Sequence, residues 1–218
     1  MIGAAMADTK DQILDAAEKL FAEKGFAATS TRAITDEAGV NLSAVNYHFG
    51  SKQGLIYAVF KRRVRDINTE RIRMLDRYEA EAGGGSVLPD KIMTAYIAPA
   101  IRVCEQKKYY MRLMGRIYSE PGDFLGKLYT EEFAEVMERF PRAIMKAVPG
   151  LSEEDFFWKA HFILGVLSHT MSAEFYLRLI SNGKCTYSDI EALIRRMTDF
   201  TVAGLTASTG SSHKDATP

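Results

Sequence analysis

Hydrophobic residues along this chain recur at steps of three and four positions, which is the spacing of one face of an α-helix. No stretch has the strict alternation of apolar and polar residues that is typical of a half-buried strand. The pattern therefore predicts an all-α fold, with helices over residues 9–24, 31–38, 41–49, 51–82, 89–107, 109–119, 124–148, 152–179 and 188–206.

Several of these helices begin at side chains that are suited to hydrogen-bond the free backbone amides of a first helical turn. Thr9 and Gln12 have the spacing of a capping box. Thr31, Asn41 and Ser51 each stand where a cap is expected. Caps at these positions would separate the first four helices from one another.

The predicted helix over residues 51–82 is unusually long, on the order of 45 Å at 1.5 Å per residue. It ends at a Gly-Gly-Gly-Ser run, which is the clearest break in the chain. Pro141 is expected to kink or end the helix over 124–148. We predict an N-terminal three-helix domain over residues 8–53 and a helical C-terminal domain over residues 54–207. Residues 1–7 and 208–218 are predicted to be disordered tails.

The composition is that of a globular chain, with 47% apolar residues and 28 Lys and Arg against 28 Asp and Glu. No run approaches the roughly 18 apolar residues of a membrane span, and the first residues lack the basic start of a signal peptide. The sequence has only two cysteines, Cys104 and Cys185, which is too few for a disulfide framework or a cysteine-rich zinc site. We therefore expect a cytoplasmic protein with no membrane partner.

Residues 31–49 combine a short helix, a glycine-containing turn and a second short helix, the arrangement of a helix-turn-helix unit. Gly39 permits the turn, while Ile34 and Val45 are expected to face a small core. The second helix of such a unit enters the major groove of DNA. Residues 31–65 carry six basic and two acidic side chains, a local net charge of +4 that suits a phosphate backbone. We interpret most of the basic run within them, Lys61-Arg62-Arg63 and Arg65, as a solvated helix face.

The most specific signature lies within residues 11–60. It consists of Ile13-Leu14-Asp15-Ala16-Ala17, Leu20-Phe21, Gly25-Phe26, Thr31-Arg32-Ala33-Ile34, Ala38-Gly39-Val40, Tyr47-His48-Phe49-Gly50-Ser51-Lys52 and Leu55. In this order and spacing, these residues closely resemble the DNA-binding domain of TetR-type transcriptional regulators. The resemblance implies a ligand-responsive repressor that binds a palindromic operator in double-stranded DNA as a homodimer.

The resemblance also assigns DNA contacts to particular side chains. Lys52 matches a lysine that grips a phosphate, next to a helix N-terminus whose amides favour anions. Arg32 stands where some members of the family read guanine. Asn46 departs from the aromatic residue that is common there, and an asparagine can pair with adenine. The expected DNA-contacting residues are Thr31, Arg32, Asn41, Leu42, Ser43, Ala44, Asn46, Tyr47, His48, Ser51 and Lys52.

The last two long helices are the expected dimer interface. The helix after Ser152 is apolar around more than one face, so it must be covered on two sides. TetR-type proteins pair their last two helices as a four-helix bundle, and an intrachain core is the alternative interpretation. The predicted interface residues are Phe162, Gly165, Val166, His169, Ile190, Leu193, Ile194, Met197, Phe200 and Thr201.

An effector pocket among the central helices is implied mainly by the resemblance. Methionines mixed with aromatic side chains suit a small apolar or amphipathic ligand, although plain core packing has the same pattern. The candidate lining residues are Met93, Tyr96, Met111, Met114, Tyr118, Phe133, Met137, Trp158 and Phe162.

Catalysis finds no support in the sequence. No spacing of nucleophile and base, and no metal-ligand spacing, appears along the chain. We therefore expect no enzyme activity, no cofactor and no metal. The alternative function from another class is a helical small-molecule-binding or interaction protein with a vestigial helix-turn-helix.

Overall fold

A computed structural model of the chain describes residues 2–106, 109, 112–113 and 124–208, and of residues 2–8 and 104–106 only the backbone. Helices form the regular structure of these residues, with no strand among them, so the predicted all-α class is confirmed. We number the helices with long described segments α1 (Ile2–Lys24), α2 (Thr31–Ala38), α3 (Ser43–Phe49), α4 (Lys52–Glu81), α5 (Pro89–Gln106), α6 (Phe124–Glu132), α7 (Ala134–Ala147), α8 (Glu153–Ser172), α9 (Glu174–Ile180) and α10 (Ile190–Thr206).

Two hydrophobic clusters organise the residues that the structure describes, and α4 contributes to both. The first joins α1, α2 and α3 to the N-terminal half of α4, around the fully buried Phe21 and Phe60. Phe124 of α6 stacks on Phe60 with ring centroids 5.4 Å apart. The second cluster packs α5 against α4, α7, α8 and α10. Because α4 runs through both clusters, it is a direct mechanical link between the two ends of the molecule.

The first helix begins earlier than the sequence predicted. It starts at Ile2, so Thr9 lies inside α1 and does not cap its N-terminus. Residues 2–7, which were expected to be a disordered tail, belong to this helix. Of the other expected tail, residues 209–218 lie outside the described residues.

One more predicted cap and one predicted helix start are also displaced. Ser30 Oγ accepts the amide of Ala33 at 3.1 Å, so Ser30 caps α2 and Thr31 is its first helical residue. The last long helix begins at Ile190, where Asp189 accepts the amide of Ala192 at 2.8 Å. In each case the cap stands just outside the apolar periodicity, which determines a helix start only to within a residue or two.

Two predicted helices are each divided into two. The first break falls at Phe133. There Asn68 Nδ2 of α4 donates to the Glu132 carbonyl at 2.6 Å, so a side chain of another helix hydrogen-bonds a carbonyl at the end of α6. Pro141, the expected break, lies inside α7. The second break falls at Ala173, between α8 and α9. The predicted helix over 109–119 lies mostly outside the described residues.

None of the helices in the described part of the chain has an apolar stretch long enough to cross a membrane.

Candidate nucleic-acid interface

The turn between α2 and α3 is built as the sequence predicted. Gly39 has φ 67°, in the left-handed region that favours glycine. The amide of Val40 donates to the Thr35 carbonyl at 3.0 Å, which closes the end of α2. Ile34 and Val45 are buried and hold the two short helices on the N-terminal cluster. One face of α3 is therefore fixed in the core, and the other faces outward.

The outward face of α3 carries side chains that are not needed for packing. Tyr47 is 73% exposed and Leu42 is 47% exposed. The Tyr47 ring packs edge-on against His48, with centroids 5.0 Å apart. Asn41 is committed to local structure, since its Oδ1 accepts the amide of Ser43 at 3.0 Å. An exposed tyrosine that buries little against its own chain is available for a partner.

The N-terminus of α4 lies beside this face. Ser51 caps it as predicted, because its Oγ accepts the amide of Gly54 at 3.0 Å. Lys52 is the first helical residue, and its Nζ donates to the Ala27 carbonyl at 3.4 Å. A lysine at this point adds a full charge to the partial positive charge of the helix end. The arrangement suits an anion such as a phosphate.

None of the eleven predicted DNA-contacting residues is buried in the core. Ser30, and not Thr31, caps α2. The hydroxyl of Thr31 makes no hydrogen bond with the described residues. The exposed members are Arg32, Asn41, Leu42, Ser43, Asn46, Tyr47 and Ser51, and the partly buried members are Thr31, Ala44, His48 and Lys52.

The basic run on α4 is not a solvated face, so that interpretation was wrong for three of its four charges. Arg62 and Arg63 both bind Glu18 of α1, at 2.8 Å and 2.9 Å, and the side chain of Glu18 is only 6% exposed. Lys61 binds Glu132 at 2.6 Å. Arg65 is exposed. Acidic residues outside 31–65 thus neutralise most of the local charge, which leaves Arg32 and Lys52 as the cations beside α3.

A polar cluster that the sequence did not indicate joins α4 to α6. The Tyr57 hydroxyl donates to Glu131, and Lys61 Nζ donates to the Tyr57 hydroxyl at 3.3 Å. The hydrogen bond from Tyr57 lowers the pKa of Glu131, and the one to Glu132 raises the pKa of Lys61. Lys61 therefore keeps its charge at neutral pH, and its ion pair with Glu132 fastens α6 to the helix that begins at Lys52.

A cavity of about 520 Å³ lies between α5, α7 and α8. Three of the residues that were predicted to bind a ligand line it: Met93, Tyr96 and Met137. Phe133, a fourth, lines a neighbouring cavity of about 220 Å³. Trp158 and Phe162 are 57% and 61% exposed and line neither of these two cavities, so their role in ligand binding stays a prediction. Met111, Met114 and Tyr118 lie outside the described residues. The lining residues that the sequence missed include Phe140, Pro141, Ile144, Met145, Phe156, Phe157, Ile163 and Leu164.

The predicted dimer residues divide into three groups. Ile194, Met197 and Thr201 are buried within the chain, on the side of α10 that packs against α5, so they were wrongly assigned to an interface. Val166, Ile190 and Leu193 are half-buried. Exposed are Phe162, Gly165, His169 and Phe200. Further exposed apolar side chains on α8 and α9 were missed: Phe157, Phe175, Tyr176, Leu179 and Ile180.

Among the described residues, no group of three or more His, Cys, Asp or Glu side chains is placed to hold a metal ion.

Two family profiles match the chain. The profile described as bacterial regulatory proteins of the tetR family matches residues 13–59, and the profile described as tetracyclin repressor-like, C-terminal domain, matches residues 94–204, just over half of the chain. The probable HTH-type transcriptional regulator YttP of Bacillus subtilis is 46% identical over 48 residues, which are 22% of this chain and 23% of that protein. The HTH-type transcriptional repressor KstR2 of Rhodococcus jostii is 36% identical over 52 residues, 24% of this chain and 26% of that protein. The matches thus span about a quarter of the length of these relatives.

Solved structures share the whole fold. HlyIIR, a hemolysin II transcriptional regulator, superposes with a TM-score of 0.61 at 20% identity, covering 89% of this chain and 97% of its own. A tetR-family regulatory protein from Rhodococcus RHA1 superposes with a TM-score of 0.66 at 16% identity, covering 92% and 98%. The helix-turn-helix geometry, the two matching profiles and the shared fold lead to one conclusion: the chain belongs to the TetR family of bacterial regulatory proteins.

Proposed function

We propose that this chain is a DNA-binding transcriptional regulator, a ligand-responsive repressor that binds a palindromic operator as a homodimer. One observation carries the proposal: α3 presents Tyr47 at 73% exposure next to Lys52 at the N-terminus of α4. An exposed recognition face beside a fixed cation combines base reading with a phosphate anchor. The DNA partner means that the protein acts in the cytoplasm, and the proposal includes no catalytic step.

A homodimer is supported by the apolar surface of α8, α9 and α10. Trp158, Phe162 and Phe200 are each more than half exposed. The rings of Trp158 and Phe162 stack 6.1 Å apart on α8, and α10, which carries Phe200, packs against α8. Exposed aromatic side chains on neighbouring helices of a single chain mark an interaction site. A second copy of the chain would cover them, and a two-fold axis through this surface matches a palindromic operator.

Gly165→Trp tests this interface. A side-chain atom built at Gly165 meets no atom of its own chain within 4 Å, so the variant should fold as well as the wild type. In a dimer that packs α8 closely against its copy, the indole should overfill the contact and raise the monomer fraction. Sedimentation velocity at micromolar concentration measures that fraction.

Gly126→Trp is the matched control, because Gly126 is also exposed and open but lies on α6. It should leave the dimer intact. A wild-type protein that is monomeric at micromolar concentration would refute the dimer, and a fully dimeric Gly165→Trp would exclude Gly165 from the contact.

The effector proposal is supported by the 520 Å³ cavity, whose volume lies within the roughly 300–1,000 Å³ typical of small-molecule sites. Its walls are mostly apolar, from Met93 and Met137 to Phe140 and Phe156. An apolar or amphipathic effector would fit such walls. Such a ligand would change operator affinity if it bound the DNA-bound conformation of the dimer and the DNA-free conformation with different affinities. The largest change is the ratio of these two ligand affinities.

Lys52→Ala tests the DNA contact itself. Since phosphates carry no base identity, binding to the operator and to unrelated duplex should weaken by similar factors. The slope of log affinity against log salt should fall by about 0.9 for each half-site. Fluorescence anisotropy over a series of salt concentrations gives both quantities.

Arg73→Ala is the control for Lys52→Ala. Arg73 is an exposed cation on the same helix, about 30 Å from Lys52 along the axis. Its loss should leave the affinity and the salt slope unchanged. If Lys52→Ala also leaves both unchanged, Lys52 does not contact DNA and the proposed orientation of the interface is wrong.

A further inference from the structure

Arg71, in the middle of α4, is buried with only 4% of its surface exposed. Its Nε donates to the Tyr96 carbonyl at 2.8 Å, and its Nη1 donates to Asn68 Oδ1 at 3.0 Å. The guanidinium also stacks on the Tyr96 ring, 4.0 Å from the centroid. These partners hold the guanidinium plane in one orientation, but all of them are neutral.

Among the residues that the structure describes, the charge of Arg71 has no counter-charge. Among the described residues, no carboxylate forms an ion pair with its guanidinium, although Arg63 and Arg73 on the same helix both have one. The carboxylate of Glu132 is bound to Lys61 at 2.6 Å. A guanidinium has five N–H donors, and the two hydrogen bonds of Arg71 use two of them. A buried charge without a counter-ion is costly, so the site favours an anion.

Arg71 also lines the cavity of about 220 Å³. The wall around it is mostly apolar. It is formed by side chains of α4, α5, α7 and α8 and of the Phe133 break: Val64, Ile67, Ala100, Phe133, Met137, Leu164, Leu167 and Met171. Tyr96, Met137 and Leu164 line both this cavity and the one of 520 Å³. The two cavities therefore share a wall, with the cation on one side and the larger apolar space on the other.

Phenols add neutral donors to the same cavity. Tyr96 and Tyr129 both line it, and neither hydroxyl hydrogen-bonds a described residue. Burial raises the pKa of the Tyr129 phenol, so this hydroxyl keeps its proton at neutral pH. A protonated phenol donates a hydrogen bond and contributes no competing negative charge.

We propose that Arg71 binds the carboxylate of a small monocarboxylate whose body is apolar. The planar guanidinium suits the two oxygens of a carboxylate, and stacking on Tyr96 leaves its N–H edge accessible. The 220 Å³ cavity is smaller than typical small-molecule sites, so it takes the head group and the first carbons. The rest of the ligand lies against the side chains that line both cavities, Tyr96, Met137 and Leu164.

Binding at Arg71 would place the ligand directly on α4, the helix that begins at Lys52. A ligand that binds Arg71 more tightly in one tilt of this helix than in another would favour that tilt and so change the separation of the two α3 helices in a dimer. This regulatory role rests on the proposed DNA-binding function, whereas the binding of the carboxylate does not.

The experiment is isothermal titration of the full chain, without DNA, with hexanoate, octanoate and decanoate and with their primary amides. The amides keep the apolar body and remove the charge. We expect at least one acid to bind about tenfold to a hundredfold more tightly than its amide, the range for a hydrogen bond to a charged group. Equal affinities of acid and amide, or no binding of any acid, would overturn the proposal.

Variants of Arg71 assign the preference to this side chain. Arg71→Met should abolish the difference between acid and amide, and Arg71→Lys should keep part of it. Arg73→Met, an exposed position two residues away, should keep all of it. Retention of the preference in Arg71→Met would overturn the assignment. If circular dichroism reveals that Arg71→Met is unfolded, the ratio of acid affinity to amide affinity is compared between the wild type and Arg71→Lys instead. An equal ratio in these two proteins would then overturn the assignment.

The regulatory role is tested separately, by titrating the operator complex with the acid that binds most tightly. Release of DNA by the acid and not by its amide supports that role. A ligand-free protein that binds no operator would refute the proposed DNA-binding function and leave the carboxylate measurement intact. The two failures are therefore distinguishable.

Discussion

Gly54→Ala is expected to lower the free energy of unfolding by about 3 kcal/mol, the upper end for an overpacked site. A Cβ atom at Gly54 would lie well under 3.0 Å from the carbonyl oxygen of Phe49, the last residue of α3. Because the obstacle is backbone, it is α3 or the start of α4 that must move. Operator affinity should fall at least about tenfold, since α3 and Lys52 lose their register. Chemical denaturation and anisotropy measure the two effects.

Gly126→Ala is the matched control, with the same substitution in the helical interior of α6. A Cβ there meets no atom within 4 Å, so the change should stabilise the chain by about 0.4–1 kcal/mol. The two variants are therefore predicted to differ in sign. Equal stability of Gly54→Ala and the wild type would mean that the close approach of α3 and α4 is not a constraint.

Glu18→Gln is expected to cost about 3 kcal/mol of stability. Glu18 is the common carboxylate of Arg62 and Arg63, whose side chains are only 21% and 14% exposed. Neutralising it leaves Arg63 without a counter-charge among the described residues and leaves Arg62 with only the exposed Asp15, at 2.8 Å. Breaking a buried ion pair is costly for this reason. The residual exposure of the arginines puts the effect at the lower end of the usual range. Urea denaturation followed by circular dichroism measures it.

Glu37→Gln removes a carboxylate of the same N-terminal unit whose ion pair with Lys19 is exposed on both sides. Solvent screens such a pair, so stability should not change measurably. A loss as large as that of Glu18→Gln would show that burial is not what distinguishes the two carboxylates. No loss in either variant would refute the structural role of the Glu18 cluster.

The local features of the N-terminal unit were predictable from sequence. Gly39 and Ser51 mark helix boundaries through their own chemistry, a left-handed turn and an amide cap, and both predictions are confirmed. The exposed positions of α3 follow from the burial of Val45 on its other face. These features depend on neighbours within a few residues, which periodicity and capping rules describe.

Long-range pairing was beyond the same rules. Arg62 and Glu18 are 44 positions apart, and nothing in the spacing of a basic run names an acidic partner on another helix. Periodicity also leaves open which of two apolar faces is inside. On α8 it did not distinguish the exposed Phe162 from the buried Ile163, and on α10 it did not place Met197 inside and Phe200 outside. Three-dimensional packing decides these cases.

The central claim is that α3 and Lys52 form a sequence-specific DNA interface used twice in a dimer. The measurement that tests it most directly is selection of bound fragments from a random duplex library with the chain of residues 1–218, followed by sequencing. We predict enrichment of one inverted repeat, with half-sites about one or more helical turns apart, and loss of this enrichment in Gly54→Ala. Retention of fragments with no common motif, or no retention at physiological salt, would contradict the claim and favour a small-molecule-binding protein with a vestigial helix-turn-helix.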